Sequence, residues 1–129
     1  AVLVLDFNGN EQRRFECHKL KVNGVSVDRA GTTIASCSDD GTVVVNSLSD
    51  SGEQLVHNYY RPVLCVQLDP LYSRARDNAF ASGGLAGKFI LHKRGFLGFG
   101  NQDVVLHEGE GPVHRAAWGS NFIAWANDT

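Results

Sequence analysis

The stretch Ile34-Ala-Ser-Cys-Ser-Asp-Asp-Gly-Thr-Val-Val-Val45 decides the fold. It contains two short apolar segments joined by Asp40-Gly41, which is the strongest short-range signal for a β-hairpin. A second copy of the same layout, Phe80-Ala-Ser-Gly-Gly-Leu-Ala-Gly-Lys-Phe-Ile-Leu91, begins 46 residues later. A third copy starts with Ile123-Ala-Trp-Ala-Asn-Asp-Thr129. Because the hairpin recurs along the chain, the sequence predicts a protein built from structural repeats.

A strand precedes each copy of the hairpin, and these strands repeat as well. Residues 22–28 align with residues 63–69 and 113–119, at spacings of 41 and 50 residues. A four-stranded unit every ~40–50 residues is typical of propeller blades, and helical periodicity is nearly absent. The sequence therefore predicts an all-β chain, a WD-repeat-like β-propeller fragment of four-stranded antiparallel blades. Full blades are predicted at 22–59 and 63–107, and half blades at 1–18 and 113–129.

The alternation of apolar and polar residues along these strands predicts which side chains lie between blades. Successive side chains of a strand point to opposite faces, so every second residue can be buried against a neighbouring blade. The predicted core residues are Val25, Val27, Ile34, Cys37, Val43, Val45, Val66, Leu68, Phe80, Phe89, Leu91, Trp118 and Ile123.

Composition and charge narrow the classes of function. Apolar residues make up 43% of the chain and charged residues 20%, as in an ordinary globular protein. The net charge of −2 provides no electrostatic attraction to nucleic acid. No apolar run approaches the ~18–20 residues that span a bilayer, and the first ten residues lack the basic start of a signal peptide. The three cysteines, Cys17, Cys37 and Cys65, are predicted to be reduced, buried thiols.

The sequence offers no catalytic or metal-binding constellation. His107-Glu108 begins like a zinc-protease motif, but the second histidine four residues further on is missing. Asp39 and Asp40 are adjacent on a strand end and would point to opposite faces, so we interpret them as turn-forming residues rather than as an acid–base pair. We therefore predict a protein that is not an enzyme and that has no cofactor, no metal site and no catalytic residues.

One connection contains more apolar residues than a surface loop needs. Residues 94–100 place two phenylalanines and a leucine among glycines, between two strands of the second full blade. These side chains could fold back over the edge of the blade. Exposed apolar clusters also mark interaction sites, so the alternative is a contact with a partner protein or a membrane. The candidate partner-binding residues are Arg94, Phe96, Leu97 and Phe99.

The segment Val105-Leu-His-Glu-Gly-Glu-Gly111, followed by Trp118 and Ile123-Ala-Trp-Ala-Asn127, resembles the N-terminal propeller of the vacuolar protein sorting-associated protein 41 family. The resemblance implies a subunit of the HOPS tethering complex, acting in vesicle tethering and fusion and in transport to the lysosome or vacuole. It also implies a cytoplasmic protein, peripheral on late endosomes, lysosomes or the vacuole. The implied partners are other HOPS subunits, a late-endosomal or vacuolar Rab GTPase and adaptor proteins, with no nucleic acid.

The resemblance leaves differences and alternatives. WD repeats end their third strand with Trp-Asp, whereas Val45-Asn46 and Leu91-His92 stand at that place, so a standard WD hydrogen-bond network is not expected. A propeller scaffold of another assembly, such as a coat or a ubiquitin-ligase adaptor, is an alternative function. A propeller enzyme is a further alternative, but the predicted innermost strands at 22–28, 63–69 and 113–119 are mostly small and apolar.

Overall fold

The computed structural model describes residues 1–49, 52–75, 77–95 and 100–128, and all regular elements within these ranges are β-strands. The first antiparallel pair, the N-terminal hairpin, consists of β1 (Val2–Leu5) and β2 (Glu11–Phe15). Blade A follows, with the strands β3 (Val22–Val27), β4 (Thr33–Ser38), β5 (Thr42–Ser47) and β6 (Gln54–Asn58) side by side in chain order. The described residues contain no helix with the length and hydropathy needed to span a bilayer.

The second half of the chain repeats this arrangement. Blade B contains the strands β7 (Val63–Leu68), β8 (Phe80–Gly84), β9 (Lys88–Lys93) and β10 (Gln102–Glu108), again paired in chain order. The C-terminal hairpin pairs β11 (Val113–Trp118) with β12 (Ile123–Asn127). All pairings are antiparallel. The prediction of an all-β propeller fragment with four-stranded antiparallel blades is therefore confirmed.

The hairpin that decides the fold is closed by the turn between β4 and β5. The Gly41 amide donates to the Ser38 carbonyl at 3.2 Å, and the Thr42 amide donates to the Asp40 carboxylate at 2.9 Å. Gly41 has a φ of +88°, a conformation that glycine adopts without steric cost. A Cβ at this position would also lie 3.2 Å from the amide nitrogens of Tyr60 and Arg61 in the next connection. The positive φ therefore favours glycine, and a Cβ would also be crowded by the next connection.

Apolar clusters hold adjacent sheets together. The cluster between blade A and blade B joins Cys37, Val43 and Val45 to Leu68 and Phe80, all of them buried. Further clusters join the N-terminal hairpin to β4 and blade B to the C-terminal hairpin. The predicted burial is confirmed for Ile34, Cys37, Val43, Val45, Val66, Leu68, Phe80 and Phe89. Leu91, Trp118 and Ile123 are partly buried and pack against the cluster between blade B and the C-terminal hairpin.

The predicted burial of Val25 and Val27 is wrong, since both residues are 53% exposed. They pair with Ser36 and Ile34 and share the face of blade A that points towards the N-terminal hairpin. That hairpin has two strands, which cover Ile34 and contact Val22 at the start of β3 but leave Val25 and Val27 open. The opposite face of β3 carries Ser26, whose hydroxyl accepts a hydrogen bond from the Leu68 amide at 2.9 Å. The period of two was correct, but on this face of β3 the hairpin contacts the first residue and leaves Val25 and Val27 exposed.

Candidate functional site

A buried hydrogen-bond network closes blade A at its β4–β5 turn. His18, in the connection that leads into β3, lies with its Nδ1 2.9 Å from the Thr42 hydroxyl and its Nε2 2.7 Å from the Ser36 hydroxyl. The Thr42 hydroxyl donates to the Asp40 carboxylate at 2.5 Å, and the Lys19 amide donates to the same carboxylate at 2.9 Å. Because the Thr42 proton points to Asp40, His18 Nδ1 donates to Thr42 and Nε2 accepts from Ser36. A polar network of this kind thus forms without the Trp-Asp ending.

The network combines Asp, His and Ser, so it must be compared with a nucleophilic triad. Burial is the largest effect on the pKa of Asp40 and raises it, but the hydrogen bonds from Thr42 and Lys19 and the nearby His18 outweigh burial and lower the pKa to about 2. Burial lowers the pKa of His18 against the opposing effect of Asp40. The His18 side chain is only 2% exposed and Ser36 is 2% exposed, so no substrate carbonyl can reach the Ser36 hydroxyl. The arrangement stabilises the blade.

Arg94, the described member of the predicted contact loop, follows directly after β9. Its amide donates to the Asp77 carbonyl at 2.6 Å, and the Gly95 amide donates to the Asn101 side chain at 2.9 Å. These bonds fix the start of the loop against the β7–β8 connection and tie its two ends together, while the Arg94 residue is exposed. Phe96, Leu97 and Phe99 lie outside the described residues, so their role as contact residues stays a prediction.

The β7–β8 connection, residues 69–79, lies beside Arg94 on the same side of the sheets. Tyr72 is its buried anchor at 7% exposure, and burial raises the pKa of its hydroxyl. The Asn78 side chain donates to the Tyr72 carbonyl at 2.8 Å. Towards blade A, the Arg29 amide donates to the Pro70 carbonyl at 2.8 Å. The connection therefore joins the two blades and places the exposed cations Arg29, Arg74 and Arg94 on one side of the structure.

Between the outer strands of the two blades lies an aromatic stack that sequence reasoning missed. The ring centroid of His57 on β6 is 5.0 Å from that of Phe80 and 4.3 Å from that of His92 on β9. His92 Nδ1 also lies 2.7 Å from the Asp103 carboxylate. Burial first, and the neighbouring His92 second, lower the pKa of His57 to about 4. The two histidines are 35 positions apart in different repeats, so no local spacing could have paired them.

In the part of the chain that the structure describes, the remaining candidates for chemistry lie apart from one another. Among the described residues, no group of three or more His, Cys, Asp or Glu side chains could hold a metal ion. Cys37 and Cys65 are buried, and burial raises the pKa of their thiols to about 12 and about 11. Cys17 is only partly buried, unlike the predicted buried thiol. Asp39 accepts a hydrogen bond from the Asn23 side chain at 2.8 Å, as a structural turn residue does.

The repeated blades, the apolar contacts between them and the buried polar network define the chain as part of a β-propeller protein. A family profile described as "Vps42 beta-propeller", the β-propeller of Vps41, matches residues 1–129. The chain therefore belongs to the Vps41 β-propeller family.

Similarity to curated proteins extends over nearly the whole chain. It is 44% identical over 128 residues, 99% of its length, to the vacuolar protein sorting-associated protein 41 homolog of Arabidopsis thaliana. It is 45% identical over 129 residues, its full length, to the homolog of Solanum lycopersicum. It is 38% identical over 128 residues, 99% of its length, to vacuolar protein sorting-associated protein 41 of Schizosaccharomyces pombe. The chain spans 13%, 13% and 14% of the length of these relatives.

Proposed function

We propose that this chain is a non-catalytic protein-interaction scaffold in protein transport to the vacuole or lysosome. The observation that carries the proposal is the similarity over almost the whole chain to relatives named for vacuolar protein sorting. The buried state of His18 and Ser36 supports it, because the one Asp–His–Ser grouping described above serves packing rather than chemistry.

In finer detail, we propose a role in the HOPS complex, in vesicle tethering and fusion at late endosomes, lysosomes or the vacuole. The protein would lie on the cytoplasmic side as a peripheral component. Its partners would be the other HOPS subunits, a late-endosomal or vacuolar Rab GTPase and adaptor proteins. The resemblance of the segment from Val105 to Asn127 to the family supports this assignment.

We propose residues 94–100 as one contact site of this scaffold. Arg94 is exposed beside the other cations of that side, and the loop sequence adds Phe96, Leu97 and Phe99. Phenylalanine and arginine are both enriched at protein interfaces relative to the rest of the surface. The site therefore suits a partner protein that offers an apolar patch with acidic residues at its rim.

Affinity purification of the epitope-tagged protein at its full natural length tests the scaffold role. Quantitative mass spectrometry is expected to show enrichment of tethering-complex subunits, and cell fractionation should recover part of the protein with vacuolar or late-endosomal membranes. Enrichment of neither over a tag-only sample would refute the proposed function.

A double variant, Phe96→Ser with Phe99→Ser, tests the contact site in the same assay. We expect recovery of at least one partner to fall several-fold while the melting temperature stays unchanged. Phe122→Ser is the matched control, because Phe122 is 79% exposed in the turn between β11 and β12. Unchanged recovery in the double variant would remove the contact site and leave the scaffold role standing. Unfolding of the double variant would instead show that the two rings pack on the blade.

A further inference from the structure

Blade B contains a pocket of about 430 Å³ where the β6–β7 connection meets the β8–β9 turn. Its apolar lining is formed by Pro62, Val63, Ala86 and Ile90. Arg61 and Lys88 also line it, so two cationic side chains border an apolar space. The volume lies within the range of ~300–1,000 Å³ that is usual for ligand pockets.

The equivalent place in blade A is filled. The repeat aligns His18 with Tyr59, Ser38 with Gly84, Asp40 with Ala86 and Thr42 with Lys88. In blade A, His18 and the carboxylate of Asp40 occupy this position, bonded to Ser36 and Thr42. In blade B, the methyl group of Ala86 stands in place of the Asp40 carboxylate. The hydrogen of Gly84 stands in place of the hydroxymethyl side chain of Ser38. The pocket is therefore a specific departure of blade B from the packing that the fold uses in blade A.

The same exchanges reverse the charge of the site. The β4–β5 turn of blade A carries Asp39 and Asp40, whereas Leu85 and Ala86 stand in the equivalent turn of blade B. Arg61 replaces Leu20, and Lys88 replaces Thr42. The structure pairs Lys88 with Glu108 at 3.8 Å, with side chains that are 43% and 66% exposed. An exposed pair of this length contributes little, so a ligand carboxylate can take the place of Glu108.

We propose that this pocket binds an extended acidic peptide of a partner protein. An aliphatic side chain of the peptide fills the space between Pro62 and Ile90, and an adjacent carboxylate lies between Arg61 and Lys88. Charge complementarity selects this occupant, because an apolar space bordered by two cations is matched by an aliphatic side chain next to an acid. The inference rests on the proposed scaffold function and names the partner chemistry that one site of the scaffold recognises.

Fluorescence anisotropy with a labelled peptide of alternating glutamate and leucine tests the proposal on the protein at its full natural length. We expect saturable binding that weakens as salt is added. The variant Arg61→Glu with Lys88→Glu is expected to weaken binding by tenfold or more, which corresponds to the loss of about one charge-assisted hydrogen bond. Matched peptides with glutamine for glutamate, or serine for leucine, are each expected to bind several-fold more weakly.

Two further variants test whether peptide binding depends on the pocket of blade B. Ala86→Asp with Lys88→Thr puts into blade B the residues that stand at the equivalent positions of blade A, Asp40 and Thr42, and it is expected to abolish binding without a drop in melting temperature. Lys21→Glu, an exposed residue of the connection before β3, changes the charge of blade A and is expected to leave binding intact.

Three results would overturn the proposal. These are no saturable binding by the unaltered protein, equal loss of binding in Lys21→Glu, or full binding by the blade A-like variant. Binding of phosphatidylserine vesicles that requires Arg61 and Lys88, without binding of the peptide, would assign the pocket to a membrane and likewise overturn it. The scaffold function is tested separately by affinity purification of tethering-complex subunits. Failure of the peptide pocket can therefore be distinguished from failure of the scaffold function.

Discussion

His57 makes the contact between the two blades sensitive to pH. Its ring lies against Phe80 and His92, and burial lowers its pKa from 6.5 to about 4. The unfolded chain therefore binds a proton at this histidine between about pH 6.5 and pH 4, where the folded state does not. The stability that depends on neutral His57 is complete above pH 6.5 and is lost as the pH falls towards 4.

The magnitude follows from the two pKa values. Their difference corresponds to at most about 3 kcal/mol, and at pH 5 the calculated loss is about 2 kcal/mol. Solvent screening of the partly buried ring reduces the expected loss to about 1 kcal/mol. His18, whose pKa is also lowered by burial, adds a loss in the same direction. The free energy of unfolding is therefore expected to be lower at pH 5 than at pH 7 by about 1 kcal/mol or more.

Urea unfolding followed by tryptophan fluorescence at pH 7 and pH 5 measures this difference. His57→Phe keeps an aromatic ring between Phe80 and His92 and removes the titrating group, so it should reduce the pH dependence. The control Phe122→Leu changes an exposed side chain outside the stack, removes no titrating group and should leave the dependence as it is. An unchanged pH dependence in His57→Phe would refute the assignment of this effect to the inter-blade stack.

Two further predictions concern packing. Gly41→Ala should lower the free energy of unfolding by more than the ~1 kcal/mol of a positive-φ substitution. The control is Gly9→Ala, because Gly9 has a φ of +86° and its added Cβ would have no atom within 4 Å, so only the effect of φ is expected. Equal losses of unfolding free energy for the two variants in urea titrations would contradict the crowding at Gly41. Phe89→Ala should cost about 3–5 kcal/mol and shift the emission of Trp125, whose ring is 5.0 Å from that of Phe89. The control Phe122→Ala should do neither, and a normal melting curve for Phe89→Ala would count against the stack.

Local signals in the sequence determined the elements of this protein. The Asp40-Gly41 pair specifies a turn because it suits the positive φ found at Gly41. The alternation of residues such as Val43 and Val45 specifies strands with a buried face, and recurrence of the unit specifies a propeller. The sequence also placed Arg94 in a connection between two strands, where the structure finds it exposed. The contact role of Phe96, Leu97 and Phe99 stays a prediction that rests on the composition of the loop alone.

Only the tertiary structure decided which faces and side chains come together. Val25 and Val27 have the same alternation as buried residues, yet their exposure depends on how far a neighbouring sheet extends over β3. The partners His57 and His92 lie in different blades, and the pocket at Lys88 exists because residues of separate connections leave it unfilled. Strand period and turn chemistry act over a few residues, whereas burial and pockets depend on contacts between residues distant in the chain. Those contacts exist only once the blades have packed.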